Sequence, residues 1–248
     1  MKDFIKIYHL NQLLDRLKKF KNILKINTYL FASLLLLVLF PQSNQAQTSE
    51  QKTWIGASLS YELHPNWEAS TEIQHRSEDI LGTTDSYFGE FLLAFKKADA
   101  QFKTGLRYIK NNDTNGAITG IENHLRFFLD IGYKHRLQQF QFKHRLRLQT
   151  ENEIGQIAAR RENLWRIKTG GVLKIKNWKL DPEVSIEAFN HLPNSNATGL
   201  QKWRYRLETE LDLGSGKVNI SYSLDRESLP NGLAFNSHIL GLFYHFEL

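Results

Sequence analysis

The stretch Gln139–Gln149, QFQFKHRLRLQ, decides the fold, because apolar and polar residues alternate along it with a period of two. One set of alternate positions carries aromatic, histidine and leucine side chains, and the other carries glutamine, lysine and arginine. Successive side chains of a β-strand point to opposite faces of the sheet. The stretch therefore predicts a strand with one apolar and one strongly polar face.

Ten further segments, each about 10 residues long, repeat this alternation. No helical period persists beyond Gln47. The apolar stripes of these segments lie within Ile55–Leu63, Trp67–Ile73, Tyr87–Phe95, Phe102–Tyr108, Leu125–Tyr133, Trp165–Ile175, Trp178–Ile186, Trp203–Leu211, Val218–Leu224 and Leu240–Leu248. The sequence thus predicts an all-β protein with eleven strands.

The predicted connections alternate between short turns and longer polar loops. The short turns are His64–Asn66, Lys97–Ala100, Lys134–Leu137, Lys176–Asn177 and Asp212–Gly216. The longer loops are Ser77–Thr84, Asn111–Ile121, Thr150–Glu162, Asn190–Gly199 and Arg226–Phe235. Outer-membrane barrels have this arrangement, with the long loops outside the cell. We predict an antiparallel transmembrane up-and-down β-barrel of about 10–12 strands in the cell outer membrane.

Aromatic residues near the strand ends favour a lipid surround. Trp67 and Trp178 follow short turns, whereas Tyr87, Trp165 and Trp203 lie near the long loops. Two belts of tryptophan and tyrosine are typical of membrane barrels, so these five residues are the predicted membrane girdle. Alternation alone does not say which face contacts water. A soluble β domain, such as a periplasmic barrel that binds an apolar ligand, therefore stays open as an alternative.

The odd number of predicted strands conflicts with the even numbers of bacterial single-chain barrels. A periplasmic carboxyl terminus and external long loops require the first strand to run in the same direction as the last. Either one strand is missed, one is counted too many, or residues 47–52 rise through the lumen. The pattern does not decide among these three.

The amino-terminal region has the three parts of a signal peptide. Residues 1–46 contain seven lysines and arginines and two aspartates, so five of the six net positive charges lie there. A charge-free apolar run, Leu30–Phe40, and a small residue, Ala46, follow. We predict cleavage after Ala46, a short segment 47–52, and a barrel over 53–248. An uncleaved amphipathic anchor is the alternative. The remaining chain is almost neutral, so no nucleic-acid partner is expected.

Charged residues on the polar faces are expected to line the lumen. The predicted lining comprises Glu72, Arg107, Arg126, Arg145, Arg147, Arg166, Glu183, Glu187, Arg204, Arg206 and Glu208. These side chains either line a narrow pore for small charged solutes or pair with each other and fill the barrel. The expected partners are outer-membrane lipid, lipopolysaccharide and the barrel-assembly machinery, with the oligomeric state left open.

The sequence gives little sign of catalysis. His191 and Ser195 are the nearest candidates for an outer-membrane lipid hydrolase, but Pro193 lies between them in a turn-rich segment. Ser237 and His238 are adjacent, which places them on opposite faces of a strand. The chain contains no cysteine, and the spacing of His124, His135 and His144 does not suit a metal. We predict a non-enzymatic protein with no catalytic residue, metal or cofactor.

Several short motifs give the chain a family resemblance. They are Trp54, Glu72, Arg76, Gly105–Tyr108, His124–Arg126, His144–Arg147, Arg166, Pro182–Glu183, Glu187, Trp203–Arg206, His238–Leu242 and Tyr244. With these motifs in this order, residues 53–248 resemble the Gram-negative family called domain of unknown function 2490. The resemblance implies an outer-membrane barrel without a known reaction. The chain departs from many such barrels in ending on Leu248 rather than on an aromatic residue.

Overall fold

The structure is a computed structural model that describes residues 49–113, 120–155, 161–176, 178, 180–193, 199–228 and 234–248. The predicted signal peptide and residue 47 lie outside these ranges. Within them, no helix is long and apolar enough to cross a membrane. The strands are β1 (Ser49–His64), β2 (Trp67–Glu78), β3 (Thr84–Lys97), β4 (Ala100–Asp113), β5 (Gly120–Leu137), β6 (Phe140–Ile154), β7 (Arg161–Leu173), β8 (Leu180–His191), β9 (Gly199–Asp212), β10 (Lys217–Ser228) and β11 (Ala234–Glu247).

These eleven strands form one closed barrel. Each strand pairs antiparallel with the next along the chain, as predicted, but β1 and β11 close the barrel in parallel. The prediction of a wholly antiparallel barrel is therefore wrong at this seam. An odd number of alternating strands makes the first and last run in the same direction, and closing them side by side leaves no open sheet edge.

The seam also explains the residues that precede the first apolar stripe. β1 begins at Ser49, which pairs with Asn236, and Lys52 pairs with both Ile239 and Glu78. Ser49–Lys52 thus belong to the barrel wall and do not rise through the lumen, as one of the three alternatives required. This stretch has few apolar residues, so its hydropathy gave no sign of a strand.

Several strands extend beyond their apolar stripes. β5 continues to Leu137, so the turn predicted at Lys134–Leu137 is wrong, and the chain reverses instead at Gln138 and Gln139. Gln138 adopts a positive φ of 55° to make this two-residue turn. At the other end, β4 and β6 extend to Asp113 and Ile154. Ladder hydrogen bonds continue here although both faces are polar, which is why hydropathy underestimates these strands.

The barrel carries its apolar side chains on the outside. Among the described residues, 36 large hydrophobic side chains are exposed, whereas nine hydrophobic residues are buried. Ile73, Phe91, Phe127, Leu129 and Ile220 are examples near the middle of their strands, and each is about half exposed or more. The intervening positions point inward and are mostly polar or charged. This distribution inverts that of a water-soluble barrel, whose apolar face lies inside.

Candidate functional site

The inward faces of the strands enclose several cavities, and two of these together are lined by all eleven residues predicted to face the lumen. One, of about 800 Å³, lies toward the short turns and is bordered by Lys134, Lys174 and Lys217. The second, of about 540 Å³, lies toward the long loops and is bordered by Trp54, Arg76 and Phe189. Of the eleven residues predicted to line the lumen, Glu183 borders the first cavity and the other ten border the second. These eleven residues lie on the same inner face because they occupy alternate positions of their strands, and this alternation can be read directly from the sequence.

Ion pairs between neighbouring strands hold most of the interior arginines in place. Arg147 donates two hydrogen bonds to Asp130, at 2.7 and 2.8 Å, and both residues are buried. Arg204 donates to Asp225 in the same bidentate way, at 2.6 and 2.7 Å. Such paired geometry fixes the guanidinium plane as well as its charge. These arginines therefore form rigid parts of the lumen wall.

A branched group of ion pairs crosses from β6 to β8. Glu187 accepts hydrogen bonds from Arg145 and Arg166, at 2.5 and 3.0 Å. Lys143 pairs with Glu183 at 2.5 Å, and Lys168 lies 3.5 Å from Glu208. Arg145 and Lys168 also border both cavities. The charges between the two cavities are thus held by β6 and β7.

Aromatic rings on the inner face support several of these guanidinium groups. The Cζ atoms of Arg107 and Arg147 lie 3.6 and 3.8 Å from the ring centroids of Phe88 and Phe128. Arg166 lies over Phe189 at 4.2 Å. Cation–π contacts of this kind stabilise a charge where water is scarce. The rings also limit how far the arginines can move into the lumen.

The two cavities meet at a shared border inside the lumen. Seven residues border both: Leu92, Arg145, Arg147, Lys168, Glu208, Asn219 and His245. Three of the seven are arginine or lysine and one is glutamate. The side chains that border both cavities therefore include more basic than acidic groups.

Of three comparisons with known proteins, one found a match. A family model described as protein of unknown function (DUF2490) matches residues 51–226, which is more than half of the chain. The chain belongs to the DUF2490 family. The match runs from β1 into β10, so the motif His238–Leu242 of β11 lies beyond it. Searches of curated proteins and of solved structures found no match.

Of the two residues considered for hydrolysis in this DUF2490 protein, the structure describes only His191. His191 is buried at the end of β8 and is 4% exposed. Ser195 lies outside the described residues. Ser237 donates to Glu50 on the inner side, whereas Nδ1 of His238 lies 2.7 Å from the hydroxyl of Tyr222. The two adjacent side chains therefore face opposite ways and share no site.

Histidines in the described part of the DUF2490 barrel engage other partners. His124 lies 3.2 Å from Glu122 and 3.4 Å from Glu151 in the lumen. His135 and His144 stack on the outer face with ring centroids 5.4 Å apart. No group of three or more histidine, aspartate or glutamate side chains suited to a metal occurs among the described residues. These three histidines are thus divided between the two faces.

The predicted girdle residues occupy the outer face of the DUF2490 barrel. Trp67 and Trp178 lie near the short turns and are 42% and 46% exposed. Tyr87 and Trp203 lie toward the long loops with similar exposure. Trp165, beside the inward Arg166, is less exposed and is paired with Leu148. Whether these side chains meet a lipid interface stays a prediction.

Sequence reasoning missed several residues that complete the lumen. Asp130 and Asp225 supply the carboxylates of the two bidentate pairs, and Trp54, Phe88 and Phe128 supply inward rings. Parity would have indicated Asp130 and Phe128, because both are an even number of residues from Arg126. Phe128 was missed because it lies between Phe127 and Leu129, and hydropathy alone assigns all three apolar side chains to the outer face.

Proposed function

We propose that this DUF2490 protein is a non-enzymatic outer-membrane β-barrel whose lumen is a narrow, anion-preferring channel for small solutes. The proposal includes a signal peptide that is removed, insertion by the barrel-assembly machinery, and contact with outer-membrane lipid and lipopolysaccharide. The barrel's closed backbone and apolar exterior support it, because a membrane-spanning sheet needs every backbone group paired and an apolar outer surface.

The observation that carries the channel is the meeting of the two cavities at a shared, charged border. Described residues that line the second cavity include ten arginines and lysines and six glutamates. An excess of fixed positive charge in a confined lumen raises the local concentration of anions. Ion pairs neutralise many of these charges individually. The same ion pairs hold the arginine and lysine side chains against the inner wall of the barrel, which leaves the cavity open.

The two other functions considered from the sequence receive less support. A soluble barrel for an apolar ligand needs an apolar interior, whereas this interior is lined with charged side chains. A lipid hydrolase rests only on His191 and Ser195. If His191→Ala abolished hydrolysis of a phospholipid by the purified barrel, the hydrolase would replace the channel as the favoured function.

Single-channel recording in a planar bilayer tests the proposal. In a potassium chloride gradient we expect discrete conductance steps with a reversal potential on the anion-selective side. Arg145→Glu should shift that potential toward cation selectivity, because Arg145 borders both cavities. Arg136→Glu is the matched control, since Arg136 is exposed and lines neither cavity. A stably inserted but silent barrel would contradict the channel and favour a structural role with a closed lumen.

A further inference from the structure

Three neighbouring residues of the second cavity have hydrogen-bond donors without acceptors. Trp54 and Arg76 pair across β1 and β2, and Gln74 lies two residues before Arg76 on the same face. The Trp54 Nε1, Gln74 Nε2 and Arg76 Nε atoms are all buried, and none has a hydrogen-bond partner in the structure. We call these residues the Arg76 cluster. A buried donor without an acceptor costs free energy, so this excess calls for an explanation.

The hydrogen bond between Gln74 and Arg76 fixes which end of the Gln74 amide is left without a partner. Its Oε1 atom accepts a hydrogen bond from Nη2 of Arg76 at 3.4 Å. Rotating the amide by 180° would set two donors against each other, because an arginine side chain has no acceptor. The Nε2 group is therefore left as a donor. Gln74 is 6% exposed, and no acceptor among the described residues bonds its Nε2 group.

Arg76 also differs from the other cavity arginines in its charge partners. Arg107 and Arg204 each bind a carboxylate, Glu90 and Asp225, whereas the described contacts of Arg76 are the Gln74 amide and two aromatic rings. Glu72 lies four residues along β2, which is about 13 Å in a strand. Asp85 lines a smaller cavity together with Arg76, but among the described residues neither Glu72 nor Asp85 lies within 4 Å of the Arg76 guanidinium.

A second guanidinium lies close to Arg76 across the lumen. Cζ of Arg76 lies 4.4 Å from the Trp54 ring centroid, and Cζ of Arg204 lies 4.8 Å from the same centroid. One indole thus contacts two cations that come from β2 and β9. Arg204 is paired with Asp225, whereas the ring attracts Arg76 without neutralising its charge. A bound anion would neutralise Arg76, and it would accept hydrogen bonds from the buried donors once these side chains turned toward the cavity.

We propose that the Arg76 cluster is a binding site for a small oxyanion, either a carboxylate or a phosphate group. Such groups bring two or more acceptor oxygens, and arginine forks match them in a bidentate way. The cavity of about 540 Å³ beside the cluster has room for an anion of this size. The site lies in the lumen of the proposed channel, but binding does not require conduction.

Trp54 provides a direct signal for the test. The other four tryptophans, Trp67, Trp165, Trp178 and Trp203, lie on the outer face, so replacing them with phenylalanine leaves Trp54 as the single tryptophan, which is excited selectively at wavelengths that tyrosine does not absorb. The full barrel, folded in detergent, is then titrated separately with inorganic phosphate and with acetate. Migration on unheated gels confirms that each variant is folded. We expect a saturable change in Trp54 fluorescence with at least one of the two anions.

Three substitutions separate a defined site from general lumen charge. Arg76→Gln should weaken anion binding by about 10- to 100-fold, the usual effect of losing a charged hydrogen bond. Gln74→Leu, which keeps the charge, should weaken binding to a smaller extent. Lys103→Gln is the control, because Lys103 does not border the second cavity and its loss removes the same charge. It should leave affinity unchanged within about twofold.

The outcomes divide as follows. Saturation by wild type, reduced by Arg76→Gln and Gln74→Leu but not by Lys103→Gln, supports the site. Equal weakening by Arg76→Gln and Lys103→Gln would overturn it in favour of diffuse attraction by the lumen. A folded wild-type barrel that responds to neither anion would also overturn it, whatever its conductance. A silent barrel that still binds would contradict the channel alone.

Discussion

Ser49, at the beginning of β1, lies beside Asn236, near the beginning of β11, in a parallel pair. The pairing continues to Ser60 and Glu247, so the seam runs along nearly the whole wall. A barrel with an even number of strands closes antiparallel and keeps both ends of the chain at one rim. Here β1 begins at the long-loop rim, and Leu248 lies at the short-turn rim, where its amide donates to the Ser60 carbonyl at 3.0 Å.

The buried pair of Asp130 and Arg147 should contribute strongly to stability. Asp130→Asn leaves the Arg147 charge buried without its partner, and we expect the free energy of unfolding to fall by about 3–5 kcal/mol. Glu247→Gln is the control, because its ion pair with Lys217 is exposed and should be worth about 1 kcal/mol or less. Urea titration of the barrel in lipid vesicles measures both. Equal losses would show that burial does not distinguish these pairs.

Gly105 should be intolerant of a side chain. A Cβ atom there would clash with the Phe128 ring, which is completely buried and stacks under Arg147. We expect Gly105→Ala to lower the free energy of unfolding by about 1–3 kcal/mol, because the ring must move. Gly89→Ala, on the neighbouring strand, meets no atom within 4 Å and should not destabilise.

A second substitution makes the Gly105 prediction more specific. Phe128→Leu removes the ring that a new Cβ would meet, so Gly105→Ala should cost less in that background than in the wild type. Urea unfolding of the four proteins completes a double-mutant cycle. If Gly105→Ala cost the same in both backgrounds, contact with Phe128 would not be the cause of its effect.

The outer face should respond to charge as a lipid-facing surface does. Leu129 lies near the middle of β5 and Leu137 at its short-turn end, and both are largely exposed. In a bilayer, Leu129→Arg should cost about 2–4 kcal/mol, whereas Leu137→Arg should cost about 1 kcal/mol or less. Unfolding in vesicles gives both values. Two equally small costs would indicate a surface that faces water.

Most of the barrel wall could be predicted from the sequence, because each strand separates an apolar from a polar face. The alternation that gave Phe140 and Leu146 one face and Arg145 and Arg147 the other is the alternation of the structure. The same pattern gave eleven segments, although it left the strand number open at about 10–12 until the structure showed eleven strands. The turns were less certain, since Lys134–Leu137 is polar enough to resemble a turn but lies within β5.

The seam and the pairing inside the lumen needed three-dimensional information. Period-two alternation is the same whether β11 meets β1 in parallel or antiparallel, so it carries no sign of the closure. It also does not say which carboxylate pairs with which arginine: Asp130 lies directly opposite Arg147, whereas Glu187 reaches both Arg145 and Arg166. The shortage of acceptors around Arg76 is visible only once the neighbours are in place.

Ser49 and Leu248 lie at opposite rims of the barrel. One measurement can therefore test the central claim, which is a membrane-spanning barrel with a parallel seam. The chain has no cysteine, so Ser49→Cys and Leu248→Cys each give a single labelling site. Intact cells are treated with a maleimide carrying a polymer too large to cross the outer membrane, and permeabilised cells serve as the control. Ile80→Cys, at the exposed long-loop rim, marks the outer surface.

We predict that Ser49→Cys and Ile80→Cys are labelled on intact cells, whereas Leu248→Cys is labelled only after permeabilisation. Labelling of Ser49→Cys and Leu248→Cys together, or of neither, on cells that label Ile80→Cys would contradict the account.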